Sequence, residues 1–282
     1  MLLHKQLHRQ LNQNLFKMRL NPVFLSCMLL AAYCLSGCKK TQHSDEFVLK
    51  FWNVRLAGTN IVPATPGNGA AAYATLYLRD DYRLYYDIYF DSLAGPAPDV
   101  VEIRMGGPLQ NGDAAVLQLP GAFNGAKMKG DVAVPKEMAD SILNNAGYLL
   151  IASKAAPGGL VRGQLDKKII FAKDVALTGA QVLPPVTTPA TAKIYLRITD
   201  DNTLFYAIDV SGLPGNDQLQ ETHIHNASGS VLLKLASGVA DYGTQGSTTV
   251  TGDPLRALQQ DPLYLDIHST LAPDGLLRGA LR

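Results

Sequence analysis

From residue 48 onward the chain reads as short runs of apolar and polar positions broken by Gly, Pro and Asp-rich turns. Ala74-Thr-Leu-Tyr-Leu-Arg and Leu84-Tyr-Tyr-Asp-Ile-Tyr-Phe have strand length and strand composition, and Asp80-Asp81-Tyr82-Arg83 between them is turn chemistry. Lys193-Ile-Tyr-Leu-Arg-Ile and Leu204-Phe-Tyr-Ala-Ile-Asp-Val flank Asp200-Asp201-Asn202 in the same way. Helical character is confined to two short segments. Pro135-Lys-Glu-Met-Ala-Asp-Ser-Ile-Leu opens on proline and spaces Met138, Ile142 and Leu143 along one helical face. Pro254-Leu-Arg-Ala-Leu-Gln-Gln is its partner.

These elements recur in order. Val54-Arg-Leu-Ala-Gly58-Thr-Asn-Ile-Val-Pro63 aligns with Val175-Ala-Leu-Thr-Gly179-Ala-Gln-Val-Leu-Pro184 at an offset of 121. Asp81-Tyr-Arg-Leu-Tyr-Tyr-Asp-Ile aligns with Asp201-Asn-Thr-Leu-Phe-Tyr-Ala-Ile at 120, and Gly159-Leu-Val-Arg-Gly-Gln-Leu165 with Gly275-Leu-Leu-Arg-Gly-Ala-Leu281 at 116. Three matches in one order mean a tandem duplication. The expected domains are 48–166 and 168–282, each an all-β, Greek-key β-sandwich with one short helix.

The first 47 residues carry a different message. Residues 22–37 form an apolar stretch behind Lys17 and Arg19, too short for a comfortable membrane span. The stretch ends in Leu35-Ser36-Gly37-Cys38, which resembles the lipobox of bacterial lipoproteins. That resemblance implies a signal peptide over 1–37, lipidation of Cys38, a polar tether over 38–47 and attachment to a membrane of the bacterial cell envelope. Translation starting at Met1 or at Met18 fits equally. Processing would remove all basic residues before Cys38 and no acid, leaving 21 basic against 24 acidic residues, a net charge of −3. Such a balance excludes electrostatic binding of nucleic acid. With cysteines only at 27, 34 and 38, the mature domains must hold together without disulfides.

The second repeat resembles the CHRD (chordin-type) domain, through Leu177-Thr-Gly-Ala-Gln-Val-Leu-Pro-Pro-Val, Thr222-His-Ile-His-Asn-Ala, Asp266-Ile-His-Ser-Thr and Gly275-Leu-Leu-Arg-Gly-Ala-Leu. The first repeat looks like a diverged copy without the histidines. The resemblance implies a sandwich of immunoglobulin-like or superoxide-dismutase-like type, and no settled activity. Locally, His223-Ile-His225 also resembles the copper-binding strand of copper–zinc superoxide dismutase.

Beyond the signal segment the chain has four histidines: His43 in the tether, then His223, His225 and His268. Strand alternation puts His223 and His225 on one face, and Tyr264, Asp266 and His268 on one face of another strand. If the two strands are neighbours, three imidazoles converge in a set that suits Cu or Zn, with Asp266 as an orienting or occasional ligand. A hydrogen-bonded surface cluster and a ligand or partner contact remain alternatives. The first repeat supplies a control: Glu102 and Arg104 stand where His223 and His225 do, and Leu150 and Ala152 where Asp266 and His268 do. The fold therefore does not demand the histidines.

Arg162 and Arg278, each before a glycine in the last strand, read as scaffold. Tyr73, Tyr77, Tyr82, Tyr85, Tyr86 and Tyr89 crowd two strands, so alternation exposes some of them, and exposed tyrosines suit recognition. A Gly-rich phosphate loop, Gly-x-Ser-x-Gly and His-Glu-x-x-His are all missing from the sequence. The expected function is a lipid-anchored binding or structural module rather than an enzyme, with a mononuclear Cu/Zn protein, redox-active or not, as the alternative.

Overall fold

Alternation settles which way each strand faces. In β1 (Val48–Ala57) Trp52, Val54 and Leu56 are buried; in β2 (Ala71–Arg79) the inward residues are Ala72, Ala74, Leu76 and Leu78. In β3 (Arg83–Ser92) Leu84, Tyr86, Ile88 and Phe90 point in while Tyr85, Asp87 and Tyr89 point out. The computed structural model describes residues 47–93, 95–112 and 115–282. The signal stretch, Cys38 and His43 lie outside the described residues.

The first repeat continues with β4 (Val100–Met105), β5 (Ala115–Gln118), β6 (Lys127–Ala133), helix α1 (Lys136–Asn144), β7 (Gly147–Ser153) and β8 (Ala156–Gln164). Its strands form one antiparallel sheet in the order β5-β4-β7-β8-β1-β2-β3-β6. The β8–β1 junction is a single paired position, Ala57 with Arg162, so the sheet divides there into two four-stranded leaves. Residues of both leaves, among them Leu76, Ile88, Ile103, Leu149 and Val161, share one apolar core. The connections β3–β4, β5–β6 and β6–β7 cross between leaves, which is the Greek-key pattern expected from the sequence.

The second repeat repeats this order: β9 (Ile169–Thr178), β10 (Thr191–Thr199), β11 (Thr203–Ser211), β12 (Leu219–Asn226), β13 (Val231–Ala236), β14 (Gln245–Thr249), helix α2 (Gly252–Gln260), β15 (Leu263–Ser269) and β16 (Leu277–Ala280). Its sheet order is β13-β12-β15-β16-β9-β10-β11-β14, with Arg278 paired to Thr178 at the junction. Among the described residues the fold is all-β, with one short α-helix per repeat. The two aspartate-rich turns also match: Tyr82 and Asn202 both take positive φ (59° and 61°) and donate their N–H to the Arg79 and Thr199 carbonyls.

The Arg-Gly pair in each last strand has a steric reason. A methyl group on Gly279 would lie 2.5 Å from the Ala176 carbonyl oxygen and 2.9 Å from Val175 Cγ1; on Gly163 it would lie 2.6 Å from the Arg55 carbonyl oxygen. Both neighbours belong to the strand that turns the sheet into its second leaf. Gly279→Ala should therefore cost about 1–3 kcal/mol, the range for an overpacked core. The expected signature in urea is a lower unfolding midpoint with an unchanged slope.

The repeats meet through buried polar groups as well as side-chain packing. Arg197, fully buried, donates from Nη1 to Asp174 Oδ1 at 2.7 Å and from Nη2 across to the Ile61 carbonyl at 2.7 Å. The Ala64 N–H donates to Asp174 Oδ2 at 2.7 Å. Residues Phe47–Arg282 accordingly form one compact unit.

Candidate metal centre

β12 and β15 are antiparallel neighbours, and their register places His223 opposite Asp266 and His225 opposite Tyr264. Ile224, Leu265 and Ile267 fill the core, so the polar residues of both strands turn together to the other face. All four residues of the sequence-based cluster are brought together: one ligand atom each from His223, His225, Asp266 and His268 lies within 4.8 Å of the others. His268 Nε2 is 3.3 Å from both His223 Nδ1 and Asp266 Oδ1, and His225 Nε2 is 2.8 Å from the same carboxylate oxygen. For metal bonds of about 2.0–2.1 Å, the donors of a tetrahedral site stand about 3.3 Å apart. Three of the separations are already near that value, while the set as a whole spans up to 4.8 Å and must draw in to close on an ion.

Hydrogen bonds fix which nitrogen of each ring faces the centre. His225 Nδ1 donates to the Gly229 carbonyl at 3.0 Å and His268 Nδ1 to the Pro273 carbonyl at 2.7 Å. A carbonyl only accepts, so Nδ1 carries the proton in both rings. In the neutral rings, the two Nε2 lone pairs then point at Asp266 Oδ1, itself an acceptor. Only a cation among them, a shared proton or a metal ion, makes every contact attractive. Ligating histidines in metal sites are oriented by this same backbone bond on the far nitrogen.

Around this centre lie further residues that the sequence does not assign to it, besides Tyr264, which alternation places on the same face. Arg278 Nη2 reaches Asp266 Oδ2 at 3.3 Å, leaving Oδ1 to face the imidazoles. Arg278, read from the sequence as scaffold, is thus part of the site; its register partner Asp266 was the missing clue. Tyr264 stacks on His225 with ring centroids 4.9 Å apart and carries the Arg278 guanidinium 4.2 Å from its centroid. Glu221 Oε2 lies 3.1 Å from His223 Nε2, and the Glu-Thr-His-Ile-His alternation could have found it. The Gly229 and Pro273 carbonyls carry no sequence signal at all.

The charges are mutually adjusted. Burial pushes His223 below the ordinary imidazole value, helped by the neighbouring His268 charge. The hydrogen bond to Asp266 holds His268 above it, against the effect of burial. Burial alone would raise Asp266, yet the His268 bond and the His225 and His268 charges bring it below the ordinary carboxylate value.

In the first repeat the same register carries different chemistry. Arg104 Nη2 pairs with Glu102 at 2.5 Å where the second repeat has His225 and His223. Leu150 faces Arg162 where Asp266 faces Arg278. Among the described residues the buried Arg162 has no carboxylate partner; it bonds the Gly107 and Gln110 carbonyls and Asn111, and lies 3.7 Å from the Tyr148 ring centroid. Desolvation pushes it down to about 10.

The CHRD domain model matches this chain twice, over residues 52–165 and 174–281. Zebrafish (Danio rerio) Chordin is 24% identical over 235 residues, an alignment covering 77% of this chain and 25% of that protein. The chain thus spans about a quarter of that relative's length. No solved structure matches it. Two matched segments with one strand order and one junction register place the chain in the CHRD-domain family, as a tandem pair of CHRD domains.

Proposed function

We propose that this chain is a lipid-anchored binding module of the bacterial cell envelope whose second CHRD domain holds one Cu or Zn ion. His223, His225 and His268 are the ligands, and Asp266 Oδ1 completes the set. The observation that carries the reading is the orientation of His225 and His268: backbone carbonyls hold both Nδ1 protons away, so both Nε2 lone pairs meet a carboxylate. Four protein donors close a tetrahedral site, whereas catalytic zinc sites keep a position open. Metal holding, rather than turnover, follows from that count.

Titrating Cu(II) and Zn(II) into residues 39–282, which contain no thiol, tests it. One equivalent of at least one metal should bind tighter than about 10 µM, or roughly 7 kcal/mol. The melting temperature should rise with metal concentration, because the ion binds the folded state. Equal heats from a chain with alanine at all three histidines would overturn the assignment.

Anchoring rests on Leu35-Ser36-Gly37-Cys38. Cys38→Ser should abolish metabolic labelling with a fatty-acid analogue and move the protein out of the membrane fraction. Labelling that survives the substitution would remove the lipoprotein reading and leave the metal reading untouched.

A further inference from the structure

The contact between the two repeats is head to tail. One end of the first domain rests on the outer sheet face of the second. Val62, Pro63, Leu109 and Asn111 from the first domain close a cavity of about 260 Å³ whose other wall is Tyr195, Ala207, Asp209 and Gln245. Because the domains are repeats, the chain contains a second copy of each half of this contact. Strand register identifies the copies: Asp174, Tyr195, Ala207 and Asp209 correspond to Asn53, Thr75, Asp87 and Tyr89. On the first domain no other described residues cover this face, and Tyr73 and Tyr89 are exposed. Its cleft, about 510 Å³, is lined by Tyr73, Thr75, Asp87, Tyr89 and Lys127. The counterpart of the Val62-Pro63 loop is Leu183-Pro184, and Leu183 is 78% exposed.

From this pairing of a free socket with a free plug, we propose that a second copy of the chain inserts its Leu183-Pro184 loop into the Tyr73/Tyr89 cleft. The polar groups have changed in step on both sides. Ala64 gives an N–H to the Asp174 carboxylate inside the chain. Its counterpart Pro185 has no N–H to give, and the counterpart of Asp174 is the uncharged Asn53. Arg197, which donates to the Ile61 carbonyl, is replaced by Tyr77, whose hydroxyl can donate to the carbonyl of Val182. Exposed Leu183 gains two tyrosine rings as apolar surroundings.

The contact uses different surfaces on its two sides, so it propagates into open chains or rings rather than stopping at a dimer. The loop that contributes Leu109 and Asn111 is a short Asn226–Ser230 turn in the second domain, which makes the intermolecular contact smaller and weaker than the internal one. Anchoring to a membrane would raise the local concentration and favour it. Nothing in this argument depends on the metal reading.

The test uses full chains in detergent with Cys27, Cys34 and Cys38 replaced by serine. One population carries Leu183→Cys and another Tyr89→Cys; each is treated with a short bis-maleimide alone and after mixing. The mixture should give a cross-linked dimer in several-fold higher yield than either population alone, and the double variant should give a ladder. A mixture no more productive than the single variants would overturn the proposal. So would efficient dimerisation of the Leu183→Cys chain by itself, which would mark a symmetric contact instead.

Discussion

Arg197→Ala should lower the unfolding free energy by about 3–5 kcal/mol, the cost of breaking a buried ion pair from one side. The guanidinium is fully buried and its partner Asp174 retains only 8% exposure. Without Arg197 the carboxylate keeps the Ala64 N–H, but its charge has no opposite partner. The Ile61 carbonyl, in the other repeat, loses its donor as well. Burial lowers the affinity of Arg197 for its proton while Asp174 raises it, and a guanidinium stays charged at neutral pH. A small gain offsets part of the loss, since Arg197 also repels the buried Arg162. Replacing the pair together, Arg197→Met with Asp174→Leu, should recover the part of the loss due to the lone charge, while the Ile61 carbonyl and Ala64 N–H still lack their partners. Denaturant unfolding of the single and double variants measures the coupling. A single-variant loss below about 1 kcal/mol would mean that water reaches Asp174 and that the domains are not locked by this pair.

What the sequence disclosed, and what it hid, follows from the range of the interactions involved. Alternation in Leu84-Tyr-Tyr-Asp-Ile-Tyr-Phe correctly separates a core Tyr86 from outward Tyr85 and Tyr89, because strand periodicity is local. The duplication was legible from Asp81/Asp201 and Arg162/Arg278, since both copies keep the residues that turns and close strand approaches require. The pairing of His223 with Asp266 needed β12 beside β15, a contact across more than forty residues that periodicity cannot supply. The contact of Arg278 with Asp266 is hidden for the same reason: it runs to an adjacent strand, and in the first repeat the equivalent Arg162 faces Leu150. Arg197 shows the same limit more sharply. It sits on the outward face of β10, where alternation assigns water, and docking of the other repeat covers it.

The proposed metal site should lose affinity as pH falls, beginning above the ordinary imidazole value near 6.5, because His268 must release its proton before Nε2 can ligate. Asp266 holds that proton on Nε2, and the Pro273 carbonyl, accepting from Nδ1–H, also favours the charged ring. The sign for the metal-free fold is opposite for the two rings. The raised His268 contributes stability that is complete below its unfolded value and is lost as pH rises through its folded value. The lowered His223 works the other way: its burial penalises protonation, so its contribution is lost as pH falls below the unfolded value. Asp266, held low, stabilises above its unfolded value and stops doing so as pH falls through its folded one. Asp266→Asn separates these effects. It removes a donor charge, so affinity at high pH should drop about 10–100-fold. It also removes the bond that raises His268, so the pH midpoint for binding should move down. The curves of log affinity against pH for the two proteins should therefore converge as pH falls. Metal titration between about pH 5 and 8, with the His268 ring followed by NMR, reads both changes across the imidazole range. Parallel curves, with the His268 midpoint unmoved, would show that Asp266 does not hold the proton that the metal has to displace.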